Sequence, residues 1–179
     1  MTDNQDLIDL VRTIPDYPKP GIQFRDVSTL LLDGPAFRRT IERMVALVDP
    51  ASFDLIAGIE ARGFIVSAAL SYALEKGKVM LRKPGKLPGK SVSIDYALEY
   101  GTDRIEMHVD AIVPGQRVLL VDDLLATGGT AMAAVQLLRG QGATVEQALF
   151  IVDLPDLGGA QKLAAAGVTP GALMAFAGD

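Results

Sequence analysis

The sequence predicts an α/β fold: a mainly parallel central sheet with helices on both faces. Three observations carry this. Short apolar runs such as Leu55-Ile56-Ala57-Gly58-Ile59 and Val118-Leu119-Leu120-Val121 alternate with stretches of helical spacing, the pattern of strand–helix–strand units. Two of these runs end in polar, glycine-containing segments, Glu60-Ala61-Arg62-Gly63 and Asp122-Asp123-Leu124-Leu125-Ala126-Thr127-Gly128-Gly129-Thr130. Sheets of this kind bind ligands at the carboxyl ends of their strands, so both segments belong to one shared site. Finally, 179 residues of which 49% are hydrophobic, without internal repeat or linker, suit one domain with a sizeable core.

The elements follow in order. Leu7, Leu10, Val11 and Ile14 have helical spacing, stopped by Pro15. Residues 15–26 hold three prolines and one glycine and read as a shaped loop. Asp33 is placed to cap a helix with Pro35 in its first turn; Phe37, Ile41, Met44, Val45 and Val48 form its apolar face. Residues 55–59 read as a buried strand, 64–75 as a helix closed by Gly77, and 79–81 as a short strand. Phe64 is expected in the core. Residues 84–91, Pro-Gly-Lys-Leu-Pro-Gly-Lys-Ser, read as a mobile loop. Alternation over 104–109 predicts a strand with Ile105, Met107 and Val109 on one face. A strand from 118, an alanine-rich helix from Thr130, a strand over 144–152 and a short helix over 158–166 complete the chain.

Composition excludes several classes. A net charge of −5 and a pI near 4.9 give no general attraction to nucleic acid. No apolar run reaches the roughly 18 residues that span a membrane, and the acidic, polar start Met1-Thr2-Asp3-Asn4-Gln5-Asp6 is unlike a signal peptide. The chain has no cysteine and one histidine, which excludes disulfides, thiol catalysis and a His-rich zinc site. His108 reads as a structural or surface residue. A cytoplasmic enzyme with neither nucleic acid nor membrane as partner fits best.

The run 118–130 holds the chemistry. Apolar residues deliver Asp122 and Asp123 to the end of a strand; a small loop and a helix start follow at once. Backbone N–H groups and the helix dipole there favour an anion. Gly128 and Gly129 let the backbone approach it, and Thr127 and Thr130 add hydroxyl donors. Carboxylates repel phosphate, so Asp122 and Asp123 suit sugar hydroxyls, from which they accept strong hydrogen bonds. A phosphate at the loop and a diol at the acids describe a ribose 5-phosphate. The run lacks the lysine of a P-loop and the G-x-G-x-x-G of a dinucleotide site.

The run Val-Asp-Asp-Leu-Leu-Ala-Thr-Gly-Gly-Thr at 121–130 resembles the phosphoribosyl diphosphate (PRPP) signature of the type I phosphoribosyltransferases, and among them the adenine-specific family. Four other segments share the resemblance, so that together it covers most of residues 15–155. It implies the type I fold as a single domain over 1–179: an N-terminal helix and hood over 1–33 and a core over 34–179, with a flexible loop at about 84–101. It also implies transfer of phosphoribosyl from PRPP to N9 of adenine, giving AMP and pyrophosphate.

The resemblance assigns residues segment by segment. Asp122, Asp123, Ala126, Thr127, Gly128, Gly129 and Thr130 would hold the ribose 5-phosphate. The hood segment Pro20-Gly21-Ile22-Gln23-Phe24-Arg25-Asp26 would read adenine through Gln23, Phe24 and Arg25, chiefly by the carbonyl of Gln23 and the N–H of Arg25. Gln23 replaces the apolar residue often found there. Glu60, Ala61 and Arg62 would bind pyrophosphate, with Arg62 also near the base. Arg82, Lys83 and Lys86, in a basic segment 81–90, would contact the diphosphate, part of that segment reaching a neighbouring subunit in at least a homodimer. In Tyr96-Ala97-Leu98-Glu99-Tyr100-Gly101, Glu99 would transfer the proton at the base, although its residue type alone equally fits stabilising the loop. Magnesium would be held mainly by substrate oxygens, with no direct protein ligand. Other acceptor bases, a PRPP-sensing regulator and a PRPP synthetase-like or nucleoside-cleaving enzyme are the rival readings; the hood, the acidic balance and the lack of an ATP motif weigh against them in turn.

Overall fold

In a computed structural model that describes residues 4–97 and 101–178, a five-stranded parallel sheet forms the centre. Its strands are β3 (Leu55–Ile59), β4 (Gly77–Leu81), β7 (Arg117–Leu125), β8 (Thr144–Asp153) and β9 (Thr169–Ala175), in the order β4-β3-β7-β8-β9. Two antiparallel hairpins stand outside it: β1 (Arg12–Pro15) with β2 (Gln23–Asp26), and β5 (Ser91–Ala97) with β6 (Thr102–His108). The helices are α1 (Gln5–Ile8), α2 (Ser28–Leu32), α3 (Gly34–Val45), α4 (Arg62–Leu74), α5 (Gly129–Gly140) and α6 (Gly159–Ala165).

The strand pattern explains the two faces. Successive residues of β7 point to opposite sides. Val118 and Leu120 therefore join one core with Ala134, Leu138 and Leu163 of α5 and α6. Leu119 and Val121 join the other with Leu30, Met44, Val66 and Leu70 of α2, α3 and α4. Asp33 caps α3 as its sequence implies: its side chain accepts from the Ala36 N–H at 2.8 Å, a cap worth about 1 kcal/mol.

The sheet order fixes where a ligand can sit. From β3 the chain crosses through α4 to β4 on one side; from β7 it crosses through α5 to β8 on the other. The crossovers diverge between β3 and β7, which pair in parallel with Gly58 opposite Val121. A crevice at such a switch point lies at the carboxyl ends of both strands, where the sequence places Glu60-Ala61-Arg62 and Asp122-Asp123.

The structure corrects several expectations. Helix α1 ends at Ile8, and Ile14 lies in β1; pairing with β2 outweighs its helical spacing. The shaped loop 15–26 contains β2, whose residues 23–26 pair with 12–15. The flexible loop of 84–101 contains β5, whose seven residues pair with β6 from Ser91 opposite His108 to Ala97 opposite Thr102. Phe64 is only half-buried and lies under two cations rather than in the core. Val109 falls just after β6 and is exposed. Strand β9 has no counterpart among the sequence expectations.

Candidate functional site

At the end of β7 the backbone turns sharply into α5. Gly128 makes the turn with a φ of 73° and stands as the N-cap of α5, a conformation for which glycine is the default residue. A cavity of about 120 Å³ lies in this turn, lined by residues 124–131 together with Asp122. The helix start and the hydroxyls of Thr127 and Thr130 make it suited to a phosphate. The two acids separate by strand alternation. Asp122 lines this cavity and accepts the Asp123 N–H at 2.9 Å. Asp123 is buried, 5% exposed, and its carboxylate pairs with the Arg62 guanidinium. Burial and then the neighbouring charge of Asp123 push the Asp122 carboxyl well above its usual range. Gly63 is required beside it: a Cβ there would lie 2.5 Å from Asp122 Oδ1.

The end of β3 supplies the cations' frame. The Glu60–Ala61 peptide is cis, and α4 starts at Arg62. Glu60 accepts from Arg82 Nε at 3.0 Å and from the Lys83 N–H at 2.9 Å. The Arg82 hydrogen bond, against some burial, holds the Glu60 carboxyl below its ordinary value. Arg82 also donates to the Lys86 carbonyl at 3.0 Å, bringing the basic segment 82–86 against Glu60 of the same chain. Burial draws the Arg62 guanidinium down, but Asp123 outweighs it and leaves Arg62 more firmly charged than usual.

The hood meets this frame. Phe24 of β2 stands edge-on to Tyr17 at 5.2 Å and lies under the Arg62 guanidinium at 5.6 Å. The structure thus joins Phe24, Arg62 and Asp123 into one wall. The Arg25 side chain turns elsewhere: it donates to Thr13 Oγ1 at 2.6 Å and to the Ala177 carbonyl, and covers the Phe176 ring at 4.8 Å. The Arg25 side chain is thus engaged away from Phe24 and Arg62. Asp26 anchors the hairpin, accepting from the Ser28 N–H at 2.9 Å and from Arg12. Hydrogen bonds from Ser28, then Arg12, hold its carboxyl at about 2.

Sequence reasoning missed a third group. Lys83 pairs with Asp103 of β6 and lies 3.4 Å from the Tyr96 hydroxyl. Tyr96 donates to Asp103 at 3.1 Å, and Thr130 Oγ1 lies 3.4 Å from the same hydroxyl. The turn end of the β5–β6 hairpin is therefore tied to both the basic segment and the cradle. The signal was present as the alternation Val92, Ile94, Tyr96, but Asp103 stands out only once β6 is paired. Glu99 lies outside the described residues.

Comparison with known proteins points the same way. Residues 28–162 match the phosphoribosyl transferase domain family. An adenine phosphoribosyltransferase of Bradyrhizobium sp. (strain BTAi1) is 61% identical over 178 residues, 99% of each chain. Among solved structures, the adenine phosphoribosyltransferase of Thermoanaerobacter pseudethanolicus superposes with a TM-score of 0.93 at 45% identity, covering 97% of this chain and all of that one. That of Saccharomyces cerevisiae, complexed with adenine and D-2,5-dideoxy-2,5-imino-altritol 1,6-bisphosphate, gives 0.89 at 34% identity over 95% of this chain and 97% of its own.

Proposed function

The chain belongs to the adenine phosphoribosyltransferases, and from that premise we propose that it salvages adenine by transferring 5-phosphoribosyl from PRPP to N9, releasing pyrophosphate. The convergence of three subsites at the β3/β7 switch point carries this reading: the cradle 126–130, the acids Asp122 and Asp123, and the Phe24–Arg62 wall. A phosphate, a diol and a flat base are the three parts of the product nucleotide. The yeast relative is complexed with both adenine and a bisphosphorylated imino-altritol, which supports the same reading of these subsites.

In this reading the cradle fixes the 5-phosphate and Asp122 and Asp123 hold the ribose hydroxyls. As the C1–O bond to diphosphate lengthens, positive charge develops on the sugar, and a carboxylate pair beneath it stabilises that charge. Arg62, Arg82, Lys83 and Lys86 receive the negative charge that grows on the diphosphate. Each of the first three is held by a carboxylate of its own chain, Asp123, Glu60 and Asp103, so substrate binding exchanges partners rather than ordering free side chains. The hood offers the Gln23 carbonyl to the exocyclic amine and the Arg25 N–H to N1. A 6-oxo purine presents the opposite pattern and would leave each group unpaired, at roughly 1–3 kcal/mol apiece. Glu99 accepts the N9 proton. Its Gln variant should slow the single-turnover rate far more than it weakens adenine binding; an unchanged rate would reduce Glu99 to a loop-stabilising role.

Magnesium goes with this reading. Among the described residues no group of three or more His, Asp or Glu side chains could hold a metal, whereas diphosphate oxygens and waters provide the hard donors it prefers. Glu60 would reach it through water, and the ion's charge would neutralise the departing diphosphate. A cytoplasmic location fits two charged, phosphorylated metabolites. A homodimer fits the exposed apolar residues Ile65 and Tyr72 of α4 and Met80 of β4.

The deciding experiment is product formation from PRPP and magnesium with adenine, guanine, hypoxanthine, xanthine and orotate in separate reactions. AMP from adenine alone is the expected result. Turnover of another base would keep the PRPP site and overturn the hood assignment; binding of PRPP without turnover of any base would overturn the enzyme reading.

A further inference from the structure

The cradle has an outer wall for which the transfer chemistry gives no role. The segment from Leu154 into α6 runs directly behind residues 125–128. Three consecutive carbonyls of the cradle turn meet it. The Leu125 carbonyl accepts the Leu154 N–H at 2.9 Å. The Ala126 carbonyl abuts Gly159 so closely that a Cβ there would lie 2.3 Å from its oxygen. The Thr127 carbonyl accepts from Lys162 Nζ at 2.7 Å. Contact is mutual, since a Cβ on Gly128 would lie 3.0 Å from the Gly159 Cα.

Two consequences follow for an anion in the cavity. A carbonyl oxygen turned toward a phosphate would repel it; here the backbone's negative ends are engaged by residues 154–162 instead. A peptide group is also planar, so fixing the Thr127 carbonyl fixes the Gly128 N–H with it. Lys162 further places a full positive charge one peptide away from the cavity lining.

We propose that Gly159 and Lys162 are positioning residues for the 5-phosphate of the phosphoribosyl donor, acting through the Thr127–Gly128 peptide. The inference rests on the assignment of residues 126–130 as the phosphate cradle. Lys162 takes no part in holding the diphosphate or the base, so its effect should be confined to the phosphoribosyl half of the reaction.

The test uses ribose 5-phosphate as a calorimetric probe, because it carries the phosphate and diol without diphosphate or base, alongside steady-state kinetics. Lys162→Met should weaken ribose 5-phosphate binding and raise KM for PRPP by about fivefold, the loss of one charge-assisted hydrogen bond at an exposed site. Its kcat and KM for adenine should stay within about twofold of the parent, and Lys162→Arg should restore binding because a guanidinium can donate to the same carbonyl. Gly159→Ala should show a larger loss of the same kind, with circular dichroism reporting that the fold is kept. Unchanged binding and KM for PRPP in Lys162→Met, or an equal loss toward adenine, would overturn the inference alone. A parent enzyme that turns over but has no affinity for ribose 5-phosphate would overturn the cradle assignment, and the inference with it.

Discussion

Arg62 and Asp123 neutralise each other in the crevice, and both act on the charge of Asp122 beside them. Asp123 is buried, whereas Arg62 keeps much of its side chain accessible and shares its face with Phe24. Removing Arg62 would leave Asp123 buried and uncompensated, whereas removing the Asp123 charge leaves Arg62 in reach of water. We expect Asp123→Asn to stay folded and to raise KM for PRPP by about tenfold or more, on the order of one buried charge-assisted contact. Normal kinetics in the folded variant would remove Asp123 from the ribose site. The variant has a second signature. Asp122 is raised by burial and then by the charge of Asp123, so the acid limb of kcat/KM for PRPP should lie above the ordinary carboxylate value of 3.8. Without the neighbouring charge, that limb should move to lower pH. At this scale the sequence was informative because Asp122, Asp123 and the cradle are contiguous, as are Glu60, Ala61 and Arg62. The Lys83–Tyr96–Asp103–Thr130 cluster and the Lys162 contact were not legible, because each joins residues from separate elements and no local spacing marks it.

Elements were legible where burial imposes a pattern and obscure where it does not. The central strands β3, β7 and β8 are apolar on both faces and stand out as runs. Strand β2 follows Pro18, Pro20 and Gly21, and β9 carries Pro170 and Gly171; proline is tolerated on an edge strand but masks it in sequence. Strand β5 alternates, yet its outer face is serine and aspartate beside a glycine-rich loop. The other sheet edge, β4, holds an alternation with a meaning of its own: Val79 and Leu81 are buried while Met80 is 42% exposed. On α4, Ile65 and Tyr72 lie two turns apart on one face, and Tyr72 is 89% exposed. An apolar edge strand and an apolar helix stripe are costly to leave in water, and β4 leads straight into the basic segment 82–86. If this side joins two copies, Tyr72→Glu should shift the sedimentation coefficient from dimer to monomer at micromolar concentration. A dimer that persists unchanged would place the interface on another face.

At the scale of the whole molecule, two groups on opposite sides of neutrality give the pH response a readable sign. Asp26 ties the hood to α2 with its carboxyl held at about 2 against an ordinary 3.8. Its stabilisation is present above 3.8 and is lost as pH falls toward 2, because the unfolded chain takes up the proton first. Lys78 acts in the reverse sense. Its Nζ is buried without a hydrogen-bond partner, stands 4.5 Å from the Phe64 ring, and lies where a Cβ on Gly58 would fall 2.7 Å away. Ser67 closes the same space, and Arg82 shares the ring. Burial lowers the ammonium from 10.5 to about 8. Between those values the unfolded chain binds the proton and the folded one releases it, so stability should rise with pH across that window. Below pH 8 the charged amine opposes folding in full, offset in part by the ring. Urea denaturation of the parent should therefore show a midpoint that falls below about pH 4 and climbs from about 8 to 10.5. Lys78→Met, which fills the space without a charge, should raise the midpoint at pH 7 and abolish the alkaline climb. Because Phe64 contacts both Lys78 and Arg82, the same variant tests whether the ring needs both cations: a gain in stability with KM for PRPP unchanged would mean that Arg82 and Glu60 hold the segment 82–86 by themselves.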